Sequence, residues 1–115
     1  MSRPRRLGTE DEDRAAEYLA GKGYTILKRR YRGGGGEIDV LALQDEVLVC
    51  VEVKHRTHVE SGAWEAVSAT KLFRMRKAAA HFLARMDLGE RAVRLDVIAY
   101  ESDGTMAHLQ DVDAA

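Results

Sequence analysis

The 115-residue chain contains a single cysteine, so no disulfide can form within it. Cys50 lies in an apolar run over residues 47–51, which is typical of a small buried thiol and not of a reactive one. A composition that is 45% hydrophobic and 32% charged indicates a globular protein. We therefore expect one domain over residues 1–115, with a core large enough to fold without disulfides or a structural metal.

The sequence also lacks an apolar stretch long enough to span a membrane. Its first residues are basic, but the acidic residues 10–13 follow where a secretory signal peptide would have its apolar core. Together with the lone cysteine, these absences predict a cytoplasmic protein that is not exported and has no membrane partner.

Neither sign of charge is in excess, because 18 Lys and Arg oppose 19 Asp and Glu and the formal net charge is −1. Total charge therefore does not predict a nucleic-acid partner. The charges are nevertheless segregated: the chain after residue 87 is mostly acidic, whereas basic residues cluster within 3–6, 28–32, 54–56 and 71–77. This predicts one basic and one acidic surface, although solvated faces without a function explain it equally well.

Apolar periodicity predicts two helices and five strands in the order α-β-β-β-α-β-β. The first helix is predicted over residues 9–22, where Thr9 and Glu12 have the spacing of a capping box. The second begins after Ser68 and buries a stripe formed by Leu72, Met75, Ala79, Phe82, Leu83 and Met86. The strands are predicted at residues 25–31, 37–43, 47–55, 93–100 and 106–112. This order implies an α/β fold, a central mixed sheet flanked by helices, with glycines 33–36 as a mobile flap.

The second and third strands are predicted to form a hairpin around a turn at residues 45–46. If that turn is symmetric, the register places Asp39 opposite Glu52, and Glu37 opposite Lys54. That face of the hairpin is apolar near the turn and charged at the open end. The opposite face is wholly apolar in this register and contains Ile38, Val40 and Ala42.

Two carboxylates on neighbouring strands are unfavourable unless a cation binds them. At an effective dielectric of about 20, unit charges about 5 Å apart repel by about 3 kcal/mol. A divalent cation would reverse that sign, and oxygen-rich sites suit Mg²⁺ or Mn²⁺. Lys54, on the same strand face as Glu52, would then be able to orient a metal-bound water or stabilise a phosphoryl transition state. The same residues also fit a surface salt-bridge ladder, in which Lys54 pairs with Glu37 and Asp39 is solvated.

Several segments carry a resemblance to a known family. The signature segments of the uncharacterised bacterial YraN family resemble residues 36–42 (GEIDVLA) and 51–56 (VEVKHR), and four more segments match in order and spacing, at residues 12–19, 23–27, 66–71 and 94–97. That family is similar to archaeal Holliday-junction resolvases and belongs with the PD-(D/E)-x-K nuclease superfamily. The resemblance implies a restriction-endonuclease-like fold.

By position in these segments, the resemblance implies that Asp39 and Glu52 are metal ligands and that Lys54 is the catalytic lysine. Glu12 matches the first-helix acid that completes the metal site in resolvases, although the capping box explains this residue without catalysis. The implied activity is hydrolysis of DNA by an endonuclease that uses Mg²⁺ or Mn²⁺, with branched or otherwise structured DNA as substrate. A non-catalytic nucleic-acid-binding module and a scaffold protein are the alternatives. Resolvases cut two strands symmetrically as dimers, so a homodimer is expected by analogy.

Basic residues near these segments are candidates for binding the phosphates of DNA. They are Arg29, Arg30, Arg56, Lys71 and Arg74, each with an ordinary solvated side chain as the alternative. Arg30 stands where the family usually has asparagine, and His55 where a small polar residue is common, but neither removes a ligand. Asp96, on the fourth predicted strand, supports either the fold or the site.

Overall fold

The computed structural model describes residues 7–55 and 68–113. Its elements are α1 (Leu7–Gly21), β1 (Thr25–Gly33), β2 (Gly36–Gln44), β3 (Val47–His55), α2 (Ala69–Arg85), β4 (Val93–Tyr100) and β5 (Met106–Leu109). The predicted order of two helices and five strands is confirmed, and the last strand is shorter than predicted. Among the described residues, no helix combines the length and apolar character needed to cross a membrane.

The five strands form one mixed sheet in the order β1-β2-β3-β4-β5. Strands β3 and β4 are parallel, whereas the other neighbours are antiparallel. A parallel pair needs a crossover connection, and α2 lies within the connection between β3 and β4. The sheet is therefore covered on both faces, by α1 on one and by α2 on the other.

Two apolar clusters hold the helices to the sheet. Ala15 and Leu19 of α1 pack with Val40 and Val51 in what we call the α1-side core. The α2-side core contains Met75, Ala78, Ala79 and Phe82 of α2 and, from the sheet, Tyr31, Ile38, Leu41, Leu48, Cys50 and Leu95. Cys50 is fully buried, as predicted, and burial raises the pKa of its thiol to about 12, which keeps it protonated and unreactive.

Helix α2 begins as predicted. The hydroxyl of Ser68 accepts a hydrogen bond from the backbone N–H of Lys71 at 3.1 Å, which satisfies a donor of the first turn. The predicted buried stripe is correct except at its end. Met86 follows the last helical residue and is 55% exposed, because the chain leaves the sheet there.

The capping box predicted at the start of α1 is wrong. The helix begins at Leu7, so Thr9 already lies within its first turn and is not the residue that precedes it. The carboxylate of Glu12 instead accepts a hydrogen bond from Nε of Arg30 at 2.7 Å. Glu12 is therefore tied to the sheet and not to its own helix terminus.

The glycines between β1 and β2 form a tight turn packed on α2, whereas the sequence predicted a mobile flap. Gly34 and Gly35 have φ of +62° and +85°, values that favour glycine, and Gly33 pairs with Gly36 across the turn. A Cβ at Gly34 would lie 2.8 Å from the carbonyl oxygen of Lys77, and one at Gly36 would overlap the carbonyl of Arg74. Small residues are thus needed because the hairpin tip touches the backbone of α2.

Asp96 is the centre of a buried polar network under β5. Its carboxylate accepts two hydrogen bonds from Arg94 at 2.9 Å, one from Nε2 of His108 at 2.8 Å and one from the N–H of Asp111 at 3.0 Å. Burial alone would raise the pKa of Asp96, but these hydrogen bonds lower it below its usual value. The residue supports the fold and ties the chain after β5 to the sheet.

Candidate active site

Asp39 lies where β2 and β3 separate. The predicted hairpin register is confirmed from Gln44–Val47 to Val40–Val51, and the ladder ends there. The predicted cross-strand pairing of Asp39 with Glu52 is therefore absent. The carboxylate of Asp39 instead accepts a hydrogen bond from the N–H of Val53 at 2.8 Å, so the side chain occupies the gap between the strands.

The pleat of β2 is broken at Asp39. Ile38 and Val40 are two residues apart and should share a face, yet Ile38 packs in the α2-side core and Val40 in the α1-side core. The prediction that both lie on one face is wrong for this reason. Arg30 occupies the corresponding position of β1, between the pairs Arg29–Val40 and Tyr31–Ile38, and has φ of +55°. Asparagine tolerates this left-handed conformation better than arginine, so the backbone of Arg30 is strained at this point.

Glu52 continues along β3 after β2 has ended its pairing. It pairs in the parallel ladder with Val97 of β4, so its backbone position is fixed from the other side. Its carboxylate lies 3.3 Å from Nζ of Lys71, in the first turn of α2. Lys71 is therefore not an ordinary solvated residue, because its charge pairs with that of Glu52.

Glu12 reaches the site from α1. It is 8% exposed, and its ion pair with Arg30 crosses from the helix to β1. A second ion pair beside it joins Arg29 to Asp13 at 2.7 Å. Arg29 and Arg30, two of the residues predicted to bind phosphates, are thus engaged with acids of α1 in this structure.

Lys54 lies two residues beyond Glu52 and pairs in the backbone ladder with Ala99. Within residues 7–55 and 68–113 its ammonium group has no ion-pair partner. Glu37, its partner in the salt-bridge alternative, pairs instead with Arg32 at 2.9 Å. The salt-bridge ladder is therefore wrong, and the described residues leave the Lys54 ammonium available for a ligand.

The carboxyl of Asp39 carries the clearest electrostatic signature in the site. Burial, followed by the neighbouring negative charges of Glu52 and Glu12, raises its pKa to about 7. The hydrogen bond from Val53 and the charge of Lys71 oppose the shift without cancelling it. A carboxyl held in this way gains strongly from a nearby cation, whose positive charge offsets both the burial and the repulsion by Glu52 and Glu12.

The donor set at the site fits a hard divalent cation. Asp39 and Glu52 offer carboxylate oxygens, the ligands that Mg²⁺ and Mn²⁺ prefer, and such ions usually complete their shell with water. Among the described residues, no three potential ligands are close enough together to hold an ion. The carboxylate of Glu12, the predicted third ligand, is held by Arg30, and its role as a ligand stays a prediction.

Asp39→Asn is expected to stabilise the metal-free protein, most of all at high pH. The amide removes the charge and keeps an oxygen that accepts from Val53. Because the folded-state pKa of about 7 exceeds the unfolded value of about 4, ionisation of wild-type Asp39 opposes folding increasingly as pH rises from about 4 through 7. The variant's gain in free energy of unfolding should be larger at pH 8 than at pH 5 by on the order of 2 kcal/mol. Urea unfolding with EDTA at both values measures this.

The matched control is Asp45→Asn, an exposed turn residue with φ of +54° that asparagine tolerates. It should show no such dependence on pH. Added Mn²⁺ should stabilise the wild type more than Asp39→Asn. If Asp39→Asn were less stable than the wild type without metal, the charged carboxylate of Asp39 would stabilise the fold, and this prediction would be contradicted.

Sequence reasoning missed a second acid beside Glu12. Asp11 is 2% exposed, and its carboxylate contacts Nδ1 of His55 at 2.5 Å and the guanidinium of Arg14 at 2.6 Å. The contact joins α1 to the end of β3, next to Lys54. The departure of His55 from the family pattern was the signal that pointed to an unusual contact.

A basic cleft lies beside the site. Its volume is about 530 Å³, and it is bounded by the glycine hairpin tip, Lys71, Arg74, Arg32 and Glu37. Lys71 belongs to both the cleft and the site, through its ion pair with Glu52. Of the predicted phosphate-binding residues, the structure thus places Lys71 and Arg74 together, whereas Arg56 lies outside the described residues.

Comparison with known proteins identifies relatives over most of the chain. A family model described as "Uncharacterised protein family UPF0102" matches residues 11–100. A UPF0102 protein of Caulobacter vibrioides is 44% identical over 108 residues, covering 93% of this chain and 86% of the relative. A UPF0102 protein of Chlorobium limicola is 43% identical over 101 residues, covering 87% of this chain and 78% of the relative. A UPF0102 protein of Moorella thermoacetica is 43% identical over 96 residues, covering 83% of this chain and 80% of the relative. The matched region contains all four candidate site residues, Glu12, Asp39, Glu52 and Lys54.

Proposed function

We propose that this chain, which belongs to the UPF0102 family, is a metal-dependent endonuclease that hydrolyses phosphodiester bonds in branched or otherwise structured DNA. One observation carries the proposal. Asp39, with a pKa raised to about 7 by burial and by Glu52, lies at the fork of two strands, and Lys54 follows two residues after Glu52. Two neighbouring carboxylates, one of them with a raised pKa, beside an available lysine match the requirements of metal-assisted phosphoryl transfer.

Each residue would have a distinct role in that reaction. Asp39 and Glu52 would hold Mg²⁺ or Mn²⁺, which supplies an activated water and neutralises charge on the phosphate. The Nζ group of Lys54 would donate hydrogen bonds to the attacking water and to a non-bridging phosphate oxygen, so that it stabilises the charge that develops there. Glu12 would join the ligands once its carboxylate leaves Arg30.

The basic cleft supports DNA as the substrate. Lys71, Arg74 and Arg32 converge there next to the candidate metal ligands, so a strand whose phosphates lie in the cleft would pass the site. Arg29 and Arg30 would extend this surface. Phosphate contacts of this kind position a nucleic acid without reading its sequence, which suits a protein that recognises DNA structure.

A cleavage screen tests the proposal. Four-way-junction, duplex and single-stranded DNA are incubated with the full chain and Mn²⁺, alongside Asp39→Asn and the control Asp45→Asn. We expect cleavage of junction DNA by the wild type and by the control, and none by Asp39→Asn. Sedimentation of the protein with junction DNA would report whether two copies bind, as the expected homodimer requires.

Two other outcomes would overturn the proposal. Tight DNA binding without cleavage would identify a non-catalytic binding module, which the ion pairs Arg30–Glu12 and Lys71–Glu52 favour because they occupy two candidate ligands. Absence of DNA binding at low salt would leave an interaction protein as the best account.

A further inference from the structure

A groove with an apolar floor lies between edge strand β1 and the C-terminal end of α2. Its volume is about 420 Å³, within the usual range for pockets that bind small organic groups. Leu27 of β1, with Met86 and Leu88 after α2, lines this floor, and the buried rings of Tyr31 and Phe82 close it. Met86 is 55% exposed there, and no described contact covers it. An exposed apolar surface of this kind favours an apolar ligand, and the flat face of a nucleic-acid base is one that fits.

The rim of the groove is entirely basic. Lys28, Arg30, Arg32 and Arg85 line it, and no acidic residue does. Within the described residues, Lys28 and Arg85 have no ion-pair partner, and the side chain of Arg32 is 83% exposed. The ligand that complements this surface is therefore flat and apolar in one part and anionic in another, which are the parts of a nucleotide.

The groove shares residues with the candidate active site and with the cleft beside it. Arg30 lines its rim and at the same time holds Glu12, and Arg32 lines both this groove and the basic cleft beside Lys71. A strand with phosphates in the cleft would therefore have its neighbouring nucleotides at the groove. An acidic peptide would also complement the positive charges of the rim, but it would not supply a ring to pack on the apolar floor.

We infer that this groove binds an unpaired nucleotide, with the base on Leu27, Met86 and Leu88 and the flanking phosphates at Lys28, Arg32 and Arg85. The inference rests on the proposed function and narrows its substrate to DNA that presents unpaired bases beside a duplex. In base-paired DNA the base is stacked within the helix and does not reach the floor.

The test measures binding in Ca²⁺, separately from cleavage. Fluorescence anisotropy compares an oligo-dT, a blunt duplex, and the same duplex with a short oligo-dT tail, for the wild type and Met86→Ala. The wild type should bind the tailed duplex more tightly than the blunt one. Met86→Ala should lose about tenfold in affinity for the oligo-dT and the tail, as expected when a base loses its packing surface, and little for the blunt duplex. Phe73→Ala is the matched control, because Phe73 is also exposed on α2 but lies outside the groove.

Three results would overturn the inference: equal affinity of the wild type for tailed and blunt duplex, a Met86→Ala variant that binds like the wild type, or competition by polyglutamate as effective as by oligo-dT. None of them affects the cleavage screen, so a nuclease without this groove function remains identifiable. Conversely, if the protein cuts no DNA but Met86→Ala loses oligo-dT binding, nucleotide binding in the groove would be supported and the proposed nuclease activity would be contradicted.

Discussion

Lys54→Ala should lose cleavage by on the order of a hundredfold or more, a few kcal/mol of transition-state stabilisation, while its affinity for DNA in Ca²⁺ changes little. The physical reason is the separation of roles in the structure. Lys54 lies beyond Glu52 on β3, where no described residue neutralises it, whereas the basic cleft and the groove supply the phosphate contacts. The lysine therefore acts on the reacting phosphate and contributes little to holding the strand.

Single-turnover cleavage of junction DNA with Mn²⁺ measures the loss, and anisotropy in Ca²⁺ measures affinity. Lys22→Ala is the control, because Lys22 lies after the end of α1 and contacts the ring of Tyr18, away from the site residues. A Lys54→Ala variant that cuts at the wild-type rate would remove Lys54 from the mechanism. A parallel loss of binding and cleavage would make it a phosphate-binding residue.

Asp96→Ala should destabilise the protein by about 3–5 kcal/mol, since it leaves the guanidinium of Arg94 largely buried and without its charge partner. The substitution also removes the acceptor for His108 and for the N–H of Asp111, so the C-terminal part of the sheet loses its anchor. Typical domains are stable by about 5–15 kcal/mol, which makes this loss a large share of the total.

Urea unfolding at pH 7 measures the effect, with Glu90→Ala as the control because Glu90 is exposed. The control should change stability by less than about 0.5 kcal/mol. The folded-state pKa of Asp96 is lowered, so the stability that its carboxylate contributes is present above the unfolded pKa of about 4 and is lost as pH falls below that value. The difference in free energy of unfolding between the wild type and Asp96→Ala should therefore narrow at low pH. Equal stability of the two variants at pH 7 would show that the network does not anchor β5.

The regular parts of the fold could be predicted because local patterns determine them. Apolar periodicity predicted β3 and β4, and the turn at residues 45–46 predicted the correct hairpin register as far as Val40–Val51. The helix cap at Ser68 predicted the start of α2. The start of α1 was wrong because a capping-box spacing can occur by chance inside a helix. The packing of the glycine turn on α2 depends on tertiary contacts that no local pattern encodes.

The residues of the candidate site could be proposed from the sequence, but the relative positions of their side chains could not. Sequence identified the carboxylates and the lysine, but the pairing of Asp39 with Glu52 assumed a regular pleat. The break at Asp39 and the left-handed backbone of Arg30 arise where two strands distort together. The ion pairs that hold Glu12 and Glu52 join distant segments, so they appear only when α1, α2 and the sheet are assembled.

The distortion of β1 has a consequence for self-association. An edge strand exposes unpaired backbone groups onto which another molecule can add a strand, a common route to fibrillar aggregation. Strand β1 is such an edge, but its register shifts between Ile26 and Lys28, and its backbone turns left-handed at Arg30. A straight incoming strand cannot keep its hydrogen bonds past these two points, and it meets the positive charges of residues 28–32 along the way. The irregularity that accompanies Asp39 therefore also disfavours strand addition at the β1 edge of the sheet.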